Sequence, residues 1–210
     1  MGCRRIEVVE LAAEIIRSGG LVVYPTDTLY GLGADALSSR AIGKVYEAKE
    51  RPPDVPLPVA VSDVEMMGRV AALTPWMTRV VEMVLPRPVT FLLQKKKRVP
   101  AMLTAGSSKI GVRIPNHMFA LALLARTGPI TTTSANLHEG HPPRTARSAI
   151  RQLGEAVDLY VDCGRTSFGG PSTVIDISEG PEAVEVVRKG VVSPEELLRL
   201  IEAVEMDRSE

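Results

Sequence analysis

Short apolar runs recur along the chain, and each breaks off into hydroxyl, amide or cationic side chains. Leu21 to Tyr24 is cut by Pro25 and followed by Thr26-Asp27-Thr28; Val59 to Val61 stops at Ser62; Lys109 to Arg113 alternates with cations at both ends. Ile130 runs into Thr131-Thr132-Thr133-Ser134-Ala135-Asn136, and Ser172-Thr173 heads the run to Ile177. Runs of this length bounded by turn residues read as strands. A strand that ends in a polar, glycine-containing turn is a common place for a ligand in α/β proteins.

Helical spacing fills the intervals. Residues 7–18 set Val8, Leu11, Ala12, Ile15 and Ile16 on one face before Gly19-Gly20 stops the helix. Ser38 and Ser39 cap a helix that delivers Lys49 and Arg51 to a proline-broken segment, and Ser62 to Glu65 has a capping-box pattern. Thr74-Pro75 opens a helix to about Leu85, Asn116 caps one to Ala125, Thr145 to Leu153 is helical, and Ser193 to Glu196 caps the last helix, to Val204. Val157 to Val161 is a strand, and Val184 to Arg188 is a hairpin partner for Ser172 to Ile177. The alternation predicts one α/β domain over residues 1–204 with a polar tail at 205–210.

Aromatics are only 4% of the chain, so the core must be aliphatic, with Met66, Met67, Met77 and Met83 as filler. Lys plus Arg and Asp plus Glu number 25 each, so no global field drives the protein onto nucleic acid or an anionic surface. An anion site must come from local clustering. The only cysteines, Cys3 and Cys163, form neither a disulfide scaffold nor a metal pattern, which fits a reducing compartment. Glu7, Glu10 and Glu14 interrupt any signal-peptide core, and no apolar run has membrane-span length. A cytoplasmic protein is expected.

Within Gly128 to Asn136, Ser134 and Asn136 make a poor core unless their polar atoms find partners, either a ligand or the local backbone of a turn. Lys49 favours a helix C-terminus through the macrodipole, yet with Arg51 two residues on it can also clamp phosphates. Lys109, Gly111 and Arg113 share one strand face, either towards a site or towards solvent. Lys95 to Arg98 is a solvated loop or a nucleic-acid contact. His138 and His141 imply metal only if further ligands converge. Walker A, dinucleotide, kinase and nucleophile-elbow patterns are missing. The residues alone therefore describe an anion-binding α/β domain suited to a polyphosphate and a small polar molecule.

Seven segments in order carry a resemblance. They are Tyr-Pro-Thr-Asp-Thr-Leu-Tyr-Gly-Leu-Gly at 24–33, Lys-Glu-Arg-Pro at 49–52, Pro-Val-Thr-Phe-Leu-Leu at 88–93 and Gly-Val-Arg-Ile-Pro at 111–115. Ser-Ala-Asn at 134–136, Pro-Ser-Thr-Val-Ile-Asp at 171–176 and Val-Arg-Lys-Gly at 187–190 complete them. With these the chain resembles the YrdC/Sua5 family of threonylcarbamoyl-AMP synthases from about Ile6 to Val192, in the short form without the extra Sua5 domain.

The resemblance implies a twisted mixed or mostly parallel sheet flanked by helices, with a large positive cleft. It implies conversion of L-threonine, bicarbonate and ATP to threonylcarbamoyl-adenylate and pyrophosphate, towards N6-threonylcarbamoyladenosine at position 37 of tRNA. It places Thr28, Arg113, Thr132 and Ser172 near L-threonine, with Arg113 as carboxylate anchor. It places Lys49, Arg51, Lys109, Ser134, Asn136 and Arg188 around ATP. No covalent nucleophile is implied. Mg2+ would ride on the phosphates with no nameable protein ligand, and a separate tRNA threonylcarbamoyl-transferase complex would use the product. The competing function is a binding module for tRNA or double-stranded RNA.

Overall fold

The protein is described by a computed structural model over residues 6–206. Its helices are α1 (Ile6–Arg17), α2 (Ser39–Lys49), α3 (Val64–Val70), α4 (Pro75–Val84), α5 (Met118–Thr127), α6 (Ala146–Leu153) and α7 (Pro194–Met206). The strands are β1 (Val22–Pro25), β2 (Tyr30–Gly33), β3 (Val59–Ala60), β4 (Val89–Gln94), β5 (Lys109–Arg113), β6 (Ile130–Thr131), β7 (Thr133–Ser134), β8 (Leu159–Tyr160), β9 (Thr173–Asp176) and β10 (Glu185–Arg188). Helix α7 runs two residues past the expected Val204, and the rest of the expected tail, 207–210, lies outside the described residues.

The strands form two sheets, ordered β7-β2-β1-β8 and β10-β9-β4-β5-β3-β6. Parallel pairing joins β1 to β8, β3 to β5 and β4 to β9; the other pairings are antiparallel. The architecture is thus mixed α/β. A large aliphatic cluster around Leu32, Val59, Phe91, Val112 and Ile175 also takes Trp76 and Val80 from α4 and Leu197 from α7. A smaller cluster packs α1 and α5 on Val22, Tyr24, Ala60 and Ile130.

Several local expectations shift. Helix α1 buries Val8, Val9, Ala12, Ala13 and Ile16, while Leu11 is exposed, because α5 packs against a rotated stripe. Asp63, not Ser62, caps α3: its carboxylate accepts from Met66 N at 2.7 Å, three residues on, whereas Ser62 is one residue too early and bonds Asp63 instead. Asn116 does not cap α5, since His117 occupies the cap position without a side-chain bond. Met83 is exposed rather than core filler, whereas Met66, Met67 and Met77 are buried. Cys163 is disulfide-bonded, so the cysteines no longer argue for a reducing compartment. Among the described residues no helix is long and apolar enough to cross a membrane.

The feature that positions the site is the path of residues 130–134. Ile130 and Thr131 pair with β3 in one sheet, and two residues later Thr133 and Ser134 pair with β2 in the other. Thr132 lies at the crossing, its N–H given to the Pro58 carbonyl at 2.8 Å. Thr131 stitches the seam: its hydroxyl donates to Leu32 O at 2.9 Å and accepts from Ala34 N at 3.0 Å, while its N–H donates to Ala34 O at 2.9 Å. Thr131 is fully buried. Removing its hydroxyl in Thr131→Val would keep the shape and leave the Ala34 N–H without this acceptor. The expected loss is about 1–3 kcal/mol in urea unfolding, with the denaturant slope unchanged.

Candidate functional site

A cavity of about 500 Å³ opens along the seam between the sheets. Its wall takes Thr26 and Thr28 from the β1–β2 turn, Arg51 and Pro58 from the segment after α2, Thr90 from β4, and Lys109, Gly111 and Arg113 from β5. The crossing supplies Thr132 and Ser134, and the β9–β10 hairpin supplies Ser172 and Arg188. Eight of the ten residues expected from sequence therefore share one wall: Thr28, Arg51, Lys109, Arg113, Thr132, Ser134, Ser172 and Arg188. Lys49 and Asn136 do not line it.

Strand alternation explains the β5 contribution, since positions two apart face the same side. Gly111 keeps the wall open between the two cations: a Cβ there would come within 3.3 Å of Thr90 Cγ2. The β1–β2 turn is held by Thr26, whose Oγ1 accepts from Thr28 N at 3.2 Å and Leu29 N at 3.3 Å. Short Ser/Thr side chains favour such turns by bonding the backbone just ahead of them.

Four cations and no carboxylate line the cavity among the described residues, yet two of the cations are backed by acids. Arg113, 5% exposed, donates from Nη2 to Asp27 Oδ1 at 2.6 Å and from Nη1 to Thr28 Oγ1 at 2.9 Å. Its Nε is buried without a partner, as is Asp27 Oδ2. Solvent exposure for Arg113 is thereby ruled out. Lys109 donates to Asp176 Oδ2 at 2.8 Å and approaches Glu179 Oε1 at 3.6 Å, and these contacts raise its pKa, the Asp176 hydrogen bond foremost.

Arg51 and Arg188 have no carboxylate partner among the described residues. Arg51 is bonded to the carbonyls of Val55 at 3.2 Å and Pro56 at 3.0 Å. Arg188 donates to Ser172 O at 2.9 Å and Ser172 Oγ at 3.2 Å, and Ser172 Oγ in turn shares a 2.8 Å bond with Thr90 Oγ1. Desolvation, and then the like charge of Arg113, lowers the Arg188 pKa. An anion between the two guanidinium groups would relieve that repulsion.

Thr132 Oγ1 is buried without a hydrogen bond of adequate geometry. The Tyr24 hydroxyl is close enough to interact with it, but donates to the Thr131 carbonyl at 3.3 Å. Orphaned buried polar atoms are uncommon and call for a reason. Here Thr132 and Arg113 are residues of the cavity wall, while Thr132 Oγ1 and Arg113 Nε are themselves shut away from solvent.

The remaining expected residues organise the wall from behind. Lys49, 1% exposed, donates from Nζ to the carbonyls of Ser134 and Asn136, and its own carbonyl accepts from His138 N at 2.7 Å. Asn136 Nδ2 donates to Leu137 O at 2.6 Å and Gly140 O at 3.0 Å, closing the loop after the crossing. The Lys95–Arg98 run lies off the cavity, with Lys96 Nζ bonded to the Gly68 carbonyl. His138 and His141 also lie off it, and no cluster of three or more His, Cys, Asp or Glu that could hold a metal exists among the described residues.

Two contributors to the site are only weakly marked in the sequence. Thr90 is a hydroxyl inside an apolar strand, and its alternation with Leu92, also on the wall, was the available signal. Asp27 sat in view as a lone carboxylate between threonines, but only the fold shows that it meets Arg113.

Burial, followed by the charge of Arg51, lowers the Lys49 pKa from 10.5 to about 7. Between those values the unfolded chain holds a proton that the folded chain releases, so this group makes stability rise with pH and leaves its full penalty below about 7. Relative to Lys49→Met, the wild type should gain stability from about pH 7 to 10.5 by at most ~1.4 kcal/mol per pH unit, measured by urea unfolding.

The chain matches the Sua5/YciO/YrdC family, described as "Telomere recombination", over residues 14–190. It is 35% identical over 195 residues to threonylcarbamoyl-AMP synthase of Pyrococcus abyssi, covering 92% of this chain and 57% of that protein. It is 32% identical over 195 residues to a putative threonylcarbamoyl-AMP synthase of Methanocaldococcus jannaschii, covering 93% and 91%. The crystal structure of P. abyssi Sua5 complexed with L-threonine has a TM-score of 0.87 to this fold at 35% identity, over 92% of this chain and 57% of that one. The chain thus spans little more than half of the Pyrococcus protein and most of the Methanocaldococcus one.

Proposed function

The chain belongs to the Sua5/YciO/YrdC family, and from that premise we propose that it is an L-threonylcarbamoyladenylate synthase of nucleotidyltransferase type. Its substrates are L-threonine, bicarbonate and ATP. The observation that carries this reading is the convergence of Arg113, Arg188, Arg51 and Lys109 with Thr28, Thr132, Ser134 and Ser172 on one cavity. A wall of cations and hydroxyls suits an amino acid beside a polyphosphate better than an apolar ligand.

In this reading Arg113 anchors the threonine carboxylate, with Thr28, Thr132 and Ser172 around the amino acid. Guanidinium and carboxylate pair as planar forks. Arg51, Lys109, Ser134 and Arg188 face the nucleotide, and Lys49 and Asn136 serve it by holding the Ser134–Gly140 loop. The threonine amine attacks bicarbonate with loss of water, and the carbamate oxygen attacks the α-phosphorus, expelling pyrophosphate. No side-chain nucleophile is required. The protein contributes position and fixed positive charge where negative charge moves to the leaving group.

Magnesium would enter with ATP. The described residues do not form a protein cage for it, so it is assigned no protein ligand and no step. The product would pass to a separate tRNA threonylcarbamoyl-transferase complex for modification of position 37.

Incubation with all three substrates should release pyrophosphate, and omission of any one should abolish release. Threonine-independent release, or salt-sensitive RNA binding with no turnover, would defeat the synthase reading. Arg113→Lys, which keeps a cation but loses the planar fork, should lower kcat/KM for threonine by roughly tenfold or more while the KM for ATP holds. Unchanged threonine dependence would remove Arg113 from the carboxylate role.

A further inference from the structure

Resting on the amino-acid subsite just described, we propose that Asp27 is a positioning residue for it. Asp27 holds the Arg113 guanidinium from the protein side, so that the other side of the fork stays presented to a substrate carboxylate. Arg113 and Thr28 line the cavity and Asp27 does not, so Asp27 does not occupy the place of the substrate.

The donor accounting supports this. A guanidinium has five N–H donors in a rigid plane. Nη2 is tied to Asp27 Oδ1 at 2.6 Å and Nη1 to Thr28 Oγ1 at 2.9 Å, both on one turn, while Nε is left without a partner. Two ties to adjacent residues fix the plane of a long side chain that would otherwise sample many rotamers.

The anchor itself is rigid. Thr26 Oγ1 donates to Leu29 O at 2.6 Å across the turn, and the carbonyls of Asp27 and Thr28 accept from Phe168 N at 3.1 Å and Gly169 N at 3.0 Å. Asp27 is 3% exposed, so its carboxylate cannot follow Arg113 outward.

Charge gives the second reason. Arg188 lies close enough to feel the charge of Arg113. Without the Asp27 carboxylate, repulsion would turn the Arg113 side chain away from that shared space. A buried carboxylate whose Oδ2 makes no bond is also poorly used as a purely structural group.

The test is a calorimetric titration of wild type and Asp27→Asn with L-threonine and with L-threoninamide, which keeps the side chain and amine and lacks the carboxylate. Wild type should prefer threonine by roughly tenfold or more. Asp27→Asn should bring that ratio towards one while ATP affinity stays within about twofold, a pattern that general destabilisation does not produce.

A wild-type ratio in Asp27→Asn, or tighter threonine binding by it, overturns the proposal. If Asp27→Asn does not fold, Asp27→Glu keeps the charge and shifts it by one methylene. It should lower the ratio, and a wild-type ratio there overturns the proposal equally. Wild type that does not distinguish threonine from its amide removes the amino-acid reading itself, and this inference with it.

Discussion

Everything in this fold is arranged around a chain that must leave one sheet and enter another within Ile130 to Ser134. A strand can pair with only one neighbour on each edge, so two-residue strands on either side of Thr132 leave backbone groups that the seam has to satisfy. Thr131 does this with one hydroxyl, bonding both an N–H and a carbonyl of the opposite sheet. Beside this point the β1–β2 turn stands over the face of the larger sheet built by β5, β4 and β9. The cavity lies there, and the elements on each side bring their polar ends to it.

The second constraint is charge. Four cations share one wall, and the protein must fold with their mutual repulsion in place. The cations on the wall are compensated in two ways. Arg113 and Lys109 lean on carboxylates behind the wall, whereas Arg51 and Arg188 rest on backbone carbonyls and a serine. Lys49 goes further and is wholly internal, its ammonium spread over two carbonyls of the loop it holds. A neutral chain overall is compatible with this, because the field that matters is set within a few ångströms.

Much of this was legible in the residues. Period-two alternation places Lys109, Gly111 and Arg113 on one face, and hydroxyls at strand ends mark the segments 26–28, 131–136 and 172–173; the choice of Thr28, Thr132, Ser134 and Ser172 within them comes from the family resemblance. What sequence could not show was which side of the wall a polar residue takes. Lys49 and Arg51 are two apart, and one is buried behind the loop while the other lines the cavity. Asn116 failed as a cap because a one-residue shift of the helix start moves the cap to His117, a scale on which propensity carries little information. Gly128 to Asn136 reads as a strand running out into a polar end, because nothing local reveals that Thr133 and Ser134 pair again in a second sheet.

That division bears on how specificity arises. Residues that touch the cavity are short hydroxyls and cations, chemistry shared by many anion sites, and they would tolerate several ligands if left loose. The residues behind them tie the wall to the rest of the protein: Asp27 holds Arg113, Lys49 holds the carbonyls of Ser134 and Asn136, Thr131 bonds Leu32 and Ala34, and Asn136 bonds Leu137 and Gly140. A bidentate fork discriminates a carboxylate only when its plane is fixed, since a mobile guanidinium gives up conformational entropy on binding and accepts other acceptors equally. On the proposed function, recognition in this cavity depends as much on the buried layer that holds the cations still as on the cations themselves.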